Sequence, residues 1–96
     1  MTDDILARVG DEAMWLQLAE EASELSQAAS KMVRYIHGTN PVYMNGVRVT
    51  DVNELYADVI EEYMDVMNIC NHLGVPIHQG LINAKNKRWR NRLGLE

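Results

Sequence analysis

Phenylalanine is absent from this chain of 96 residues, and cysteine occurs once, at Cys70. A single thiol excludes an intrachain disulfide framework and makes a reducing compartment the default expectation. No apolar run approaches the length of a membrane span, and the N-terminus, MTDDILARVG, is acidic and lacks the apolar core of a signal peptide. These absences predict a cytoplasmic protein with no membrane partner. Internal repeats, low-complexity tracts and interdomain linkers are missing too, so residues 1–96 read as a single domain. The net charge of −5 argues against wholesale nucleic-acid binding. A domain of this size, 47% hydrophobic, buries only a modest core. Self-association as a homodimer or homotetramer is therefore expected.

Basic residues are scarce in the first thirty positions, where Arg8 stands alone against Asp3, Asp4, Asp11, Glu12, Glu20, Glu21 and Glu24. The balance reverses at the end, where Lys85, Lys87, Arg88, Arg90 and Arg92 face only Glu96. Such polarity suits an anionic ligand held between a metal and a basic tail. A helix C-terminus rich in cations, complementing its own dipole, is the plainer alternative.

Hydrophobic spacing predicts an all-α bundle with two long antiparallel central helices. Thr2 and Asp3 are placed to cap a short first helix through Ile5, Leu6 and Val9, ending at Gly10. Asp11 starts a long helix to His37, with apolar seats at Met14, Leu18, Leu25, Met32 and Ile36 and with Ala22, Ala28 and Ala29 filling the stripe. Residues 38–50 form the connection. There Asn45-Gly46 between Val42-Tyr43-Met44 and Val47-Arg48-Val49 resembles a short β-hairpin with a type I′ turn, an irregular loop being the alternative. Asp51-Val52-Asn53-Glu54 has the form of a capping box. The next helix runs to Leu73 with a stripe of Val52, Tyr56, Val59, Tyr63, Val66, Cys70 and Leu73, which puts both tyrosines in the core. Pro76 opens a last helix through Ile77, Leu81, Ile82 and Ala84 to Leu93.

One irregularity in this pattern points to chemistry. The alternating steps from Leu18 to Leu25 land on Glu21, a charge where an apolar residue is due, and such a charge is costly unless compensated. Glu21 and Glu24 are three residues apart, as are Glu62 and Asp65 on the next long helix, so each pair shares a helix face. Asp58, Glu62 and Asp65 form an acidic strip beside the apolar stripe. Two facing helices would bring four carboxylates to one point, a donor set suited to Mg²⁺, with Mn²⁺ as a substitute. A di-iron carboxylate bundle needs Glu-x-x-His, and none of His37, His72 and His78 has Glu three positions before it. Ser23, Ser26 and Ser30 have no base at helical spacing and read as helix surface.

Glu20-Glu21-x-x-Glu24 followed by Glu62-x-x-Asp65 resembles the MazG-like, all-α nucleoside triphosphate pyrophosphohydrolases, relatives of dimeric dUTPases and phosphoribosyl-ATP pyrophosphohydrolases. Leu25, Gln27, Ala28, Lys31 and Arg34 are similar to the family's first long helix. Asn40-Pro41, Asn68, Lys87-Arg88-Trp89 and Arg92-Leu93 are similar to a phage-associated branch. The resemblance spans residues 14 to 93. It implies Mg²⁺-dependent hydrolysis of a nucleoside triphosphate to the monophosphate and pyrophosphate. It makes Glu21, Glu24, Glu62 and Asp65 the metal ligands, with Glu20 and Glu21 catalytic, Glu20 orienting the attacking water or accepting its proton. Lys31, Arg34, Lys87 and Arg88 would meet phosphate. Read from its own position, Trp15 lies off the main stripe of its helix and is a candidate to stack on a base or to form an oligomer contact. Asn68 would bond base or sugar, an exposed helix asparagine being the alternative. Purine deoxynucleotides such as dATP and dGTP are the expected substrates, with dUTP, dCTP or damaged nucleotides as alternatives. Two readings from other classes stand beside this one: a non-catalytic helical adaptor, and a nucleotide-binding regulator without turnover.

Overall fold

The computed structural model describes residues 3–38 and 40–95, so Thr2, expected to share the first cap, lies outside the described residues. Four helices follow in order: α1 (Asp4–Val9), α2 (Asp11–His37), α3 (Val52–Leu73) and α4 (Gln79–Arg92). A two-stranded antiparallel hairpin, β1 (Tyr43–Met44) and β2 (Val47–Arg48), sits between α2 and α3. The fold is the expected all-α bundle with two long antiparallel helices. The Tyr35 hydroxyl donates to the Thr50 carbonyl at 3.3 Å, joining the end of α2 to the start of α3. At the opposite pole, His72 Nδ1 and Asp3 Oδ2 are 2.7 Å apart and tie the end of α3 to the entry of α1.

Local chemistry explains the boundaries. Asp3 accepts from the Leu6 N–H at 2.9 Å and caps α1. Asp51 caps α3 by accepting from the Asn53 N–H at 2.9 Å. Both long helices end on glycine in the left-handed region, Gly38 at φ 68° and Gly74 at φ 75°, where a side chain would be strained. In the hairpin Asn45 (φ 52°) and Gly46 (φ 78°) both take positive φ, as a type I′ turn requires, and the hairpin alternative therefore holds over the irregular loop. The last helix begins three residues later than expected from Pro76. His78 is extended, and its Nδ1 accepts from the Leu81 N–H at 3.0 Å, so the helix starts at Gln79.

The connection folds back as a plug. Val42, Val49 and Leu55 are buried together, with Met32, Tyr35 and Met44 packed around them. Val49 N–H donates to the Val42 carbonyl at 2.8 Å and closes the base of the hairpin. Three expected members of the α2 stripe are corrected. Ile36 is 74% exposed, and Tyr35 takes the inward seat because its ring packs on the plug while its hydroxyl reaches Thr50. Ala22 and Ala29 also face outward. The α2 face turned to α3 is therefore Met14, Leu18, Glu21, Leu25, Ala28, Met32 and Tyr35.

The α3 stripe is corrected as well. Its inward side is Leu55, Val59, Glu62, Val66, Ile69 and Leu73, with Leu55 and Ile69 buried. Tyr56 and Tyr63, expected in the core, are exposed, and with Val59, Ile60 and Met64 they line an open apolar groove on the outer face.

α4 packs against none of the other elements, and every described residue from 74 onward is exposed. The radius of gyration is accordingly 17.3 Å. A compact chain of this length would give about 12.5 Å.

Candidate functional site

The seam between α2 and α3 is apolar except at its middle. There Glu21 and Glu24 come from α2 and Glu62 from α3, each offering one carboxylate oxygen, with these oxygens within 4.8 Å of one another. Antiparallel packing produces the meeting. One helical turn separates Glu21 from Glu24, and Glu62 enters from the facing helix at the same level. Glu21 and Glu62 are half-buried, while Glu24 is exposed at the rim. Glu21 thus occupies the core seat that the α2 periodicity predicts, and Glu62 occupies the equivalent seat on α3.

Both inner carboxylates are incompletely satisfied. Gln17 Nε2 donates to Glu21 Oε1 at 2.9 Å. Glu21 Oε2 and Glu62 Oε2 are closed off from solvent and have no hydrogen-bond partner among the described residues. Buried polar atoms are nearly always paired, so two orphaned carboxylate oxygens on residues of one cluster require an explanation. Desolvation pushes the Glu21 carboxyl above its ordinary range. Gln17 opposes that shift, and the neighbouring Glu24 and Asp65 charges reinforce it. Glu62 is pushed up for the same leading reason, with Glu24 hydrogen bonding opposing and the charges of Asp65, Asp58 and Glu21 adding to it. Two remedies exist for such a cluster: a proton held between carboxylates, or a cation that neutralises them. The donor set contains oxygen alone, which fits a hard divalent ion such as Mg²⁺ or Mn²⁺ and not a soft one.

The other expected site residues lie at increasing distance from this centre. Asp65 is exposed outside the three-carboxylate group, yet its charge acts on both inner carboxylates. Glu20 is exposed on α2 beside Glu21, and Asn68 is exposed one turn beyond Asp65 on α3. Lys31 is half-buried and Arg34 exposed, both further along α2 toward the plug. Trp15 is half-exposed near the opposite end of α2. Lys87 and Arg88 are not brought to the carboxylates within one chain. They stand on α4, which packs on neither α2 nor α3.

Gln17 has no place in the sequence pattern of the site, yet it supports Glu21; its signal is the i, i+4 spacing, which lets a helix amide reach the next carboxylate. Asp58, a member of the expected acidic strip, is half-buried and loads charge onto Glu62, one turn away. Comparison of the chain with protein-family models, with curated proteins and with solved structures returns no match.

Proposed function

We propose that the chain is a Mg²⁺-dependent nucleoside triphosphate pyrophosphohydrolase, active as a homodimer or homotetramer. The observation that carries this reading is the convergence of the Glu21, Glu24 and Glu62 carboxylates inside an otherwise apolar seam, with one oxygen of Glu21 and one of Glu62 shut off from solvent and unpartnered. A merely solvated acidic face would keep those oxygens in water. The sequence resemblance to the MazG-like enzymes supports the same assignment.

The residues divide the work by position. Glu21, Glu24 and Glu62 would hold the ion, with Asp65 completing the set from the rim. The bound ion supplies charge neutralisation and a Lewis-acid contact for the triphosphate oxygens. Glu20, exposed beside Glu21, orients the attacking water or accepts its proton. Gln17 fixes the rotamer of Glu21 through its 2.9 Å hydrogen bond. Lys31 and Arg34 extend positive charge along α2 for phosphate. Phosphoryl transfer depends on positioning and charge stabilisation more than on a covalent nucleophile, so the absence of a serine–base pair is no obstacle. Water would attack one phosphorus and break one phosphoanhydride bond, giving the monophosphate and pyrophosphate.

Purine deoxynucleotides are the leading substrates by resemblance, and dUTP, dCTP and damaged nucleotides follow. Incubation of a panel of dNTPs and modified nucleotides with Mg²⁺ or Mn²⁺ should release pyrophosphate and monophosphate. Glu21→Gln should remove that activity while the helical circular dichroism spectrum is retained. Diphosphate and inorganic phosphate as products, or full activity in Glu21→Gln, would refute the assignment. A helical adaptor is the second reading, and the exposed Tyr56–Tyr63 groove favours it. It leaves the charge in the Glu21 seat without a purpose.

A further inference from the structure

The chain is electrically divided. Residues 1–65 hold 13 acidic and four basic side chains, a net charge of −9. Residues 66–96 hold one acidic and five basic side chains, a net charge of +4. In the structure this division is spatial. The acidic part is the α2–α3 pair, and the basic part is α4, which touches none of it. Lys85, Lys87, Arg88 and Arg92 form no ion pair among the described residues. Three of them, Lys85, Arg88 and Arg92, line an open hollow around Trp89, a residue that is itself 61% exposed.

An isolated 14-residue helix with no packed face is marginal in water, so α4 needs a surface to rest on. The chain as a whole needs one too. Its accessible surface is 7666 Å². A folded monomer of its mass would expose about 5,600 Å². The excess, roughly 2,000 Å², is well above the ~800 Å² that each partner buries in a standard interface. Matching surfaces are present on the molecule itself. The outer face of α3 offers the Tyr56–Tyr63 groove, and α4 offers Leu81 and Ile82, both exposed. Opposite charges and paired apolar patches on one chain specify a second copy of that chain as the occupant.

We infer that α4 docks in trans: it lies across the α2–α3 carboxylate seam of a second copy, so that each site combines Glu21, Glu24 and Glu62 of one chain with Lys87 and Arg88 of the other. This rests on the proposed function for the role of the site, but the placement of α4 is testable without turnover. The cations would flank the seam and meet the substrate's phosphates from the side opposite the metal ligands. A chain alone would therefore hold half a site.

Two experiments decide it. In the first, ¹⁴N- and ¹⁵N-labelled full-length chains are mixed and treated with a zero-length carbodiimide. Lys85 and Lys87 should cross-link to α2 or α3 carboxylates in peptide pairs carrying one label each. Sedimentation should show a dimer or larger assembly whose dissociation constant rises at least tenfold between low and high salt, or on Lys87→Glu/Arg88→Glu. Cross-links carrying a single label only, with no mixed-label pairs, no cross-links from α4 to the carboxylates, or a monomer at every concentration would overturn the inference. So would salt-sensitive binding of α4 to duplex DNA without self-association. In the second experiment, Glu21→Gln is mixed with Lys87→Ala/Arg88→Ala, each inactive alone. Random re-pairing of dimers should restore about a quarter of wild-type turnover, because half the dimers are mixed and each mixed dimer has one intact site. Active wild-type protein without complementation overturns the trans arrangement and leaves the proposed function standing. Inactive wild-type protein with mixed-label cross-links does the reverse.

Discussion

Truncating Leu55 to alanine tests the register on which the whole seam depends. Leu55 is 1% exposed and lies in the plug with Val42 and Val49. Val52, one turn earlier, is the residue that strict alternation places in the seam, yet it is 41% exposed. Removing a fully buried leucine costs about 2–5 kcal/mol, through lost transfer energy and the cavity left behind. The site is hemmed in by the hairpin and both long helices, which limits collapse, so about 3 kcal/mol is expected. A chain of this size has a total stability of roughly 5–14 kcal/mol. Leu55→Ala should therefore lower the melting temperature by about 12–24 °C, at roughly 4–8 °C per kcal/mol. Val52→Ala, largely in solvent, should cost about 0.5 kcal/mol or less. Thermal melts and urea titrations by circular dichroism, at one fixed protein concentration because association also stabilises, would measure both. If Val52→Ala proved the more damaging, the register would be wrong and Glu62 would no longer point into the seam.

Further outcomes follow from the same geometry. Without divalent cation, Glu21→Leu should raise the melting temperature, because it removes a desolvated charge from an apolar seat, and it should abolish any stabilisation by Mg²⁺. The raised carboxyls of Glu21 and Glu62 disfavour charging in the fold, so in the metal-free protein their contribution falls as pH rises from their ordinary 4.5 through their higher folded values. A melting-temperature profile across pH 4 to 7, with and without Mg²⁺, should show that decline only without the ion. Asp3 has the opposite sign. The Leu6 N–H and His72 hold its carboxyl below its ordinary 3.8, so its contribution is present above that value and is lost as pH falls through the folded one. Asp3→Asn should therefore flatten the acid limb of the same profile. Ile36→Ser, at an outward position of α2, should change stability by no more than about 0.5 kcal/mol.

Which parts of this structure were legible depends on what competed with each signal. The α2 seam was nearly complete in the sequence, because alternation from Met14 reaches Glu21 with no alternative, and a charge in that seat stands out. It slipped at the flanks, where Ala22 and Ala29 face outward, and at its end, where Ile36 is the more apolar residue. Tyr35 wins that seat because the hairpin offers its ring a packing surface and Thr50 offers its hydroxyl an acceptor. On α3 two stripes run side by side and share Val59, Val66 and Leu73. The wholly apolar one, through Tyr56 and Tyr63, is the better pattern. The one through Leu55, Glu62 and Ile69 is the one that packs. Periodicity measures hydrophobicity around one helix and does not know that the facing helix also carries acids. Glu62 therefore read as a flank residue when it is the counterpart of Glu21. The position of α4 was illegible for a different reason: its sequence fixes a basic helix, but it packs on nothing in its own chain.

Calorimetric titration of the wild-type chain, Glu21→Gln and Glu62→Gln with Mg²⁺ and Mn²⁺ tests the central claim most directly. The wild-type chain should bind saturably. At a hundredfold excess of ion over its dissociation constant, linkage should stabilise the fold by about 2.7 kcal/mol. Either glutamine variant should lose at least tenfold in affinity while keeping its helical content. Wild-type protein that binds neither ion, or glutamine variants that bind as tightly as wild type, would contradict a cation held between α2 and α3.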